Sequence, residues 1–130
     1  MVLAGQGWLI LCYIGANPGE DLVAVKFDSP RAHDLGGPND EALHGHPLFE
    51  RGLDAYGIYE VLGSSWIRAM ERMNSVHPRH RPERFASLRH FIFTFHDVTF
   101  ECVAAGVRQT LTFRRGEGDI DKVLERLGGR

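Results

Sequence analysis

The chain has 130 residues, of which 43% are hydrophobic and 25% charged, and its formal net charge is -2. These values are typical of a soluble globular protein, and we predict one domain over residues 1–130. The longest uninterrupted apolar run, residues 8–14, is far shorter than the roughly 20 residues of a membrane-spanning helix, so we expect no membrane association. The first residues lack the positive charge of a signal peptide, which favours a cytoplasmic location.

The first half of the chain is predicted to be mostly extended. The run GWLILCYIG indicates a central strand, Asn17-Pro18-Gly19-Glu20 a type II turn, and residues 21–28 a returning antiparallel strand. Residues 29–47 combine prolines, glycines and polar turn formers, so most of this segment is predicted to be an ordered loop. A short helix starting at Pro47 and a strand over residues 56–62 are expected to follow.

The second half begins with the clearest helix. Ser64 or Ser65 can cap it, Trp66, Met70 and Met73 form its apolar stripe, and Pro78 prevents its continuation. Strands are predicted over residues 89–96, 100–105 and 107–113, and a last helix is expected from Asp119 to Gly128. These elements predict an α+β fold, in which two amphipathic helices pack on a curved antiparallel sheet of five to six strands, a meander with a barrel as one option.

The two cysteines are predicted to have a structural role. Cys12 and Cys102 lie inside apolar, strand-like runs. We interpret them as reduced core residues, and a disulfide between two paired strands is the alternative.

A histidine pattern in the loop suggests a metal centre. His44, His46 and Glu50 occur in the sequence G-x6-H-x-H-x3-E-x6-G, which runs from Gly37 to Gly57. This pattern resembles the first motif of the cupin family, from which it departs by one residue in the first spacing, and the second cupin motif is absent. The resemblance implies a small antiparallel barrel whose two histidines, glutamate and one later histidine hold iron, manganese, nickel or zinc. The later ligand would be His90 or His96. Such a set is chemically reasonable because imidazole and carboxylate groups suit a divalent transition metal. The alternative is a loop in which one histidine caps the helix that starts at Pro47.

A second candidate site lies in the predicted hairpin. His96 is followed by Asp97, and a histidine oriented by a carboxylate is the minimum unit of general acid and base catalysis. No nucleophile is identifiable, so the alternative is hydrogen bonding within the turn.

The charges are distributed unevenly along the chain. Residues 17–60 carry nine acidic residues against three basic ones, whereas residues 68–90 carry six arginines against two glutamates. Arginine matches phosphate and carboxylate groups well, so Arg79, Arg81 and Arg89 are candidate ligand-binding residues, with Trp66 lining a pocket. Pairing within the chain or with a second subunit is the alternative. Nucleic acid is a weaker candidate because the chain is not basic overall and the stretch has few aromatic residues for stacking.

Taken together, the sequence predicts a small cytoplasmic domain that forms a homodimer and binds a small molecule or a partner. Whether it is an enzyme is left open. The alternative is a metal-dependent enzyme with the centre His44, His46, Glu50 and His90 or His96. A third possibility is an interaction protein whose arginine-rich stretch meets an acidic surface.

Overall fold

The computed structural model describes residues 1–15, 21–116 and 118–128, so the predicted turn at residues 17–20 lies outside the described residues. The chain divides into two compact units. The first comprises Met1–Pro30 and Ala104–Arg130, and the second is Arg31–Val103. That residues 1–130 form one domain stays a prediction.

The strands, in chain order, are β1 (Val2–Gly5), β2 (Trp8–Ile14), β3 (Leu22–Asp28), β4 (Ala32–Gly36), β5 (Ile58–Val61), β6 (Arg89–Thr94), β7 (Thr99–Ala104) and β8 (Gly106–Phe113). The helices are α1 (Ser65–Asn74), α2 (Glu83–Ala86) and α3 (Asp119–Leu127), and two 3₁₀ helices cover Asp40–Gly45 and Phe49–Arg51.

The strands form two antiparallel sheets, with strand orders β1-β2-β3-β8 and β4-β7-β6-β5. The predicted α+β class is confirmed. The single curved sheet of five to six strands differs from the structure, and within the described part of the chain neither sheet closes into a barrel. The reason is that β8 pairs with β3 and does not extend the meander beyond β7. The segment predicted as a loop also supplies β4, an edge strand paired with β7.

The core of the first unit lies between its sheet and α3. Ile10 and Cys12 of β2 and Ala24 of β3 pack with Val123 and Leu127 of α3, which recur at helical spacing. The predicted terminal helix is therefore confirmed. Its N-cap is Gly118, in the left-handed conformation with φ 74°, one residue before the Asp119 that the sequence suggested.

The core of the second unit includes both faces of β6. Ile92 packs with Leu43 and Leu53, and on the other face the ring of Phe93 meets that of Phe100 at 5.9 Å between centroids. The polar residues His90 and Thr94 of the same strand are also buried. Buried polar groups require hydrogen-bond partners, and those of β6 lead to the candidate site.

Both cysteines, Cys12 and Cys102, are buried and free, as predicted. Burial raises the pKa of the Cys102 thiol to about 12. In the described segments, no helix has the length and apolar character that crossing a membrane requires.

Candidate functional site

A carboxylate shared by two histidines lies at the centre of the second unit. Glu101 of β7 accepts a hydrogen bond from Nε2 of His90 at 2.7 Å and another from Nε2 of His46 at 3.1 Å. His90 comes from the neighbouring strand β6, and His46 follows the first 3₁₀ helix. The three side chains are largely buried, at 6%, 8% and 21% exposed for His90, His46 and Glu101.

The other ring nitrogens determine the tautomers of the two histidines. Nδ1 of His46 accepts the backbone N–H of Leu48 at 3.0 Å. Nδ1 of His90 lies 2.8 Å from Oγ of Ser64, and that oxygen also accepts the backbone N–H of Ile67. A carboxylate only accepts, so each neutral ring carries its proton on Nε2, facing Glu101, and the Ser64 hydroxyl donates to Nδ1 of His90.

The histidines also control the charge of Glu101. Burial raises the pKa of this carboxyl, but the hydrogen bonds from His90 and His46 outweigh burial and hold the pKa below its ordinary value. Glu101 is thus an anion at neutral pH, and it fixes both rings from one point. The cluster also connects to α1, because Ser64 is the N-cap of that helix, as the sequence predicted.

The predicted metal ligands are only partly brought together. His46 and His90 meet on Glu101, whereas His44 and Glu50 are exposed on the two 3₁₀ helices. All four ring nitrogens of His46 and His90 are engaged in hydrogen bonds. Over the described residues, no group of three or more His, Cys, Asp or Glu side chains is arranged to hold a metal ion. Sequence reasoning missed Glu101 as the meeting point, since it lies 55 positions from His46.

The main partner of His96 is a residue other than the predicted Asp97. Nδ1 of His96 lies 2.8 Å from Oδ2 of Asp40, and the Tyr56 hydroxyl donates to the same oxygen. Asp97 is more distant, with its Oδ1 3.8 Å from Nε2 of His96. Sequence reasoning did not single out Asp40 or Tyr56 as site residues.

These contacts shift the titration of all three groups. Hydrogen bonds from Tyr56 and His96 hold the pKa of Asp40 below its ordinary value. The bond to Asp40 raises the pKa of His96 and, in the same way, that of Tyr56. His96 and Tyr56 are open to solvent, with the His96 side chain 70% exposed.

An arginine-lined depression lies on the surface of the segment that connects α1 to β6. It has a volume of about 460 Å³ and is lined by Pro78, Arg79, His80, Arg81 and Arg84. The three arginines are exposed, and none of them forms an ion pair with a carboxylate of the described residues. This rim, Arg79, Arg81 and Arg84, is called the arginine rim below.

The backbone under the arginine rim is held in place. Nδ1 of His77 accepts the backbone N–H of Arg79 at 3.0 Å. His80 is anchored to α1, with Nδ1 2.8 Å from Oδ1 of Asn74 and Nε2 3.3 Å from Oε1 of Glu71. The segment is therefore fixed from both sides, and only the guanidinium groups need to order when a ligand binds.

Two residues predicted to bind a ligand have other roles. Arg89 makes a two-pronged ion pair with Glu60, at 2.7 and 2.9 Å, and its guanidinium lies 4.9 Å from the centre of the Phe91 ring. That pair lowers the pKa of Glu60 and raises that of Arg89. Trp66 packs its edge against the His90 ring at 5.3 Å. Neither side chain lines the depression of the arginine rim.

No protein-family model, no curated protein and no solved structure matches this chain.

Proposed function

We propose that the protein binds a small molecule carrying phosphate or carboxylate groups at the arginine rim. The observation that carries this proposal is a concave surface lined by Arg79, Arg81 and Arg84, none of them neutralised by a carboxylate of the described residues. Three guanidinium groups around one depression repel one another, and an anion between them relieves that repulsion.

The chemistry of arginine decides the class of ligand. Its planar fork donates paired hydrogen bonds to phosphate and carboxylate groups, and these bonds are about twice as strong as neutral ones. A volume of about 460 Å³ suits a small molecule. Two acidic residues are near in sequence, but Glu71 is engaged with His80 and Glu83 does not line the depression.

Nucleic acid is less well supported by the same surface. Binding of single strands requires aromatic faces on which bases stack. The two aromatic residues of this stretch are engaged, because Phe85 packs against His80 at 5.8 Å and Trp66 against His90. A compact anion therefore fits the arginine rim better than a polynucleotide.

The test is isothermal titration calorimetry with pyrophosphate and with citrate at low ionic strength. We expect one site per chain, with an affinity that falls as sodium chloride is raised, because exposed charges are screened. Arg79→Gln and Arg81→Gln should each weaken binding by about tenfold, the effect of losing a charge-assisted hydrogen bond.

Arg108→Gln is the matched control. Arg108 is exposed on β8, outside the depression, so its replacement removes the same charge and should leave the affinity unchanged. Equal weakening by all three variants would show a general charge effect and contradict the proposal. So would an absence of measurable binding, or tighter binding of a short RNA than of pyrophosphate.

A further inference from the structure

Three donor atoms of different chemistry converge at the exposed cluster of Asp40, Tyr56 and His96. Nδ1 of His96 lies 2.8 Å from Oδ2 of Asp40 and 3.3 Å from the Tyr56 hydroxyl oxygen, and that hydroxyl also contacts Oδ2 of Asp40. An octahedral ion with ligands at about 2.1 Å places neighbouring ligands about 3 Å apart. The two separations from Nδ1 of His96 are close to this value, so one ion can reach all three atoms once the side chains turn their lone pairs toward it.

The backbone holds two of these residues in register. The N–H of Asp40 donates to the carbonyl of His96 at 2.9 Å, which joins the start of the first 3₁₀ helix to the hairpin bend that follows β6. Asn39 caps that helix by accepting the N–H of Ala42 at 3.0 Å. Asp40 and His96 are thus positioned by the main chain as well as by their side chains.

The turn that carries Tyr56 is clamped to the same strand. Thr94, only 3% exposed, accepts the N–H of Gly57 at 2.8 Å and donates to the carbonyl of Asp54 at 2.7 Å. Thr94 lies two residues before His96, so the turn and the histidine share one support. The three donor groups therefore sit on a scaffold that is formed without a ligand.

Tyr56 itself is in an unusual state. Its φ is 58°, in the left-handed region, and the residue is 66% exposed. A bulky residue in this conformation costs about 1–3 kcal/mol and is typical of functional positions. The exposed ring gains little from burial, and its hydroxyl is the part of the side chain that contacts Asp40 and His96.

We propose that Asp40, Tyr56 and His96 bind a ferric ion. Carboxylate and phenolate oxygens are hard donors, and imidazole is a common ligand of iron, so the set suits an ion of high charge. On binding, Tyr56 releases its hydroxyl proton to solvent, and the neutral His96 ring carries its proton on Nε2, near Asp97. The remaining coordination positions face water and are open to a second ligand.

This site is separate from the arginine rim, and with the predicted centre of His44, His46, Glu50 and His90 or His96 it shares only His96, the alternative fourth ligand. It also differs from a purely catalytic interpretation of His96 and Asp97, because the ligand atom of His96 is Nδ1 and its partner is Asp40. A set that includes tyrosine is compatible with the absence, over the described residues, of any metal-binding group made only of His, Cys, Asp and Glu.

The experiment adds ferric iron as its nitrilotriacetate complex to the metal-free protein and records visible absorption and bound iron. A phenolate bound to ferric iron produces a visible charge-transfer band, so we expect one band and one iron per chain. Tyr56→Phe should abolish the band, and Asp40→Asn should weaken iron binding by about tenfold or more. Tyr13→Phe, on β2, is the control and should keep the full band.

Tyr56 is exposed, so its replacement should leave the fold intact, which circular dichroism verifies. Should that variant unfold, His96→Ala at the other side of the cluster gives the same test through bound iron. The proposal is overturned if the wild-type protein shows no band, or if the band persists in Tyr56→Phe. Bound iron that is equal in wild type and His96→Ala would also overturn it.

Discussion

Replacing Glu101 with glutamine tests the shared carboxylate of the second unit. The carboxylate accepts hydrogen bonds from Nε2 of His90 and of His46, at 2.7 and 3.1 Å. A glutamine amide offers one oxygen that accepts and one nitrogen that only donates. It can satisfy both histidines only if one of the rings moves its proton from Nε2 to Nδ1.

The surroundings decide which histidine can change. His46 cannot, because its Nδ1 would then face the N–H of Leu48, so that two donors oppose each other. His90 can, but the Ser64 hydroxyl then loses its acceptor in a buried place. Two charge-assisted bonds become neutral ones and one hydroxyl is left unpaired, which together predict a loss of about 2–3 kcal/mol in the free energy of unfolding.

Urea denaturation at pH 7, followed by tryptophan fluorescence, measures this loss because Trp66 packs on the His90 ring. The control is Asp34→Asn. Asp34 lies directly opposite Glu101 on β4 but is exposed, so its replacement should change stability by less than about 0.5 kcal/mol. Equal effects of the two variants, or a loss below about 0.5 kcal/mol for Glu101→Gln, would refute the hydrogen-bond assignment.

The same carboxyl predicts an acid dependence. Its pKa is lower in the folded protein than in the unfolded chain, so its contribution is complete above the ordinary value of about 4.3. The contribution is lost as the pH falls through the lower folded value. The stability difference between wild type and Glu101→Gln should therefore shrink below about pH 4. A difference that stays constant down to pH 3 would contradict the lowered pKa of Glu101.

Two further substitutions test the core and the cap. Phe93→Ala should lower the free energy of unfolding, measured in urea, by about 3–5 kcal/mol, because loss of the 3% exposed ring leaves a cavity beside Phe100. A loss below about 1 kcal/mol would show that the ring is not part of the core. Ser64→Ala should lower the free energy of unfolding by about 2 kcal/mol in the same assay, since it removes the N-cap of α1 and the donor to His90. The control Ser65→Ala, at the exposed neighbouring residue, should lower it by less than about 0.5 kcal/mol. Equal losses of stability in the two serine variants would show that Ser64 is not the N-cap of α1.

The elements that the sequence predicted well are those with strong local signals. α1 starts after a serine cap and ends before Pro78, and α3 carries an apolar stripe that α-helical geometry alone explains. β2 is a continuous apolar run, and β3 is mostly apolar, with Lys26 and Asp28 near its end. In each case the local preference and the packed structure agree.

The missed strands lack such signals. β1 has four residues and β4 has the sequence AHDLG, which alternates poorly and contains weak strand formers. Both are edge strands, paired on one side only in the described sheets. β4 takes its strand conformation from hydrogen bonds to β7, which is distant in sequence and which no local pattern encodes, whereas β1 pairs with β2, the next strand of the chain.

The candidate sites show the same limit. The sequence identified His46, His90 and His96 as residues of interest but did not indicate the carboxylates that they contact. Their actual partners, Glu101 and Asp40, are chosen by strand pairing and by the path of the loop. Asp97 follows His96 directly in the hairpin bend, yet Asp40 lies closer to the His96 ring, at 2.8 Å against 3.8 Å.

Arg89 illustrates how an ion pair changes the surroundings of a residue that was predicted to bind a ligand. As part of a basic stretch it looked equivalent to Arg79 and Arg81, but it begins β6 beside β5, where Glu60 neutralises it. The arginines of the neighbouring loop have no strand beside them and keep their charge exposed.

The most direct test of the proposed function observes the arginine side chains themselves. Pyrophosphate is titrated into labelled protein at low salt while the arginine Nε–H resonances are recorded by nuclear magnetic resonance. The account predicts saturable shifts for Arg79, Arg81 and Arg84, with Arg108 and the paired Arg89 unchanged. Shifts of similar size at every arginine, or none at the arginine rim, would contradict it.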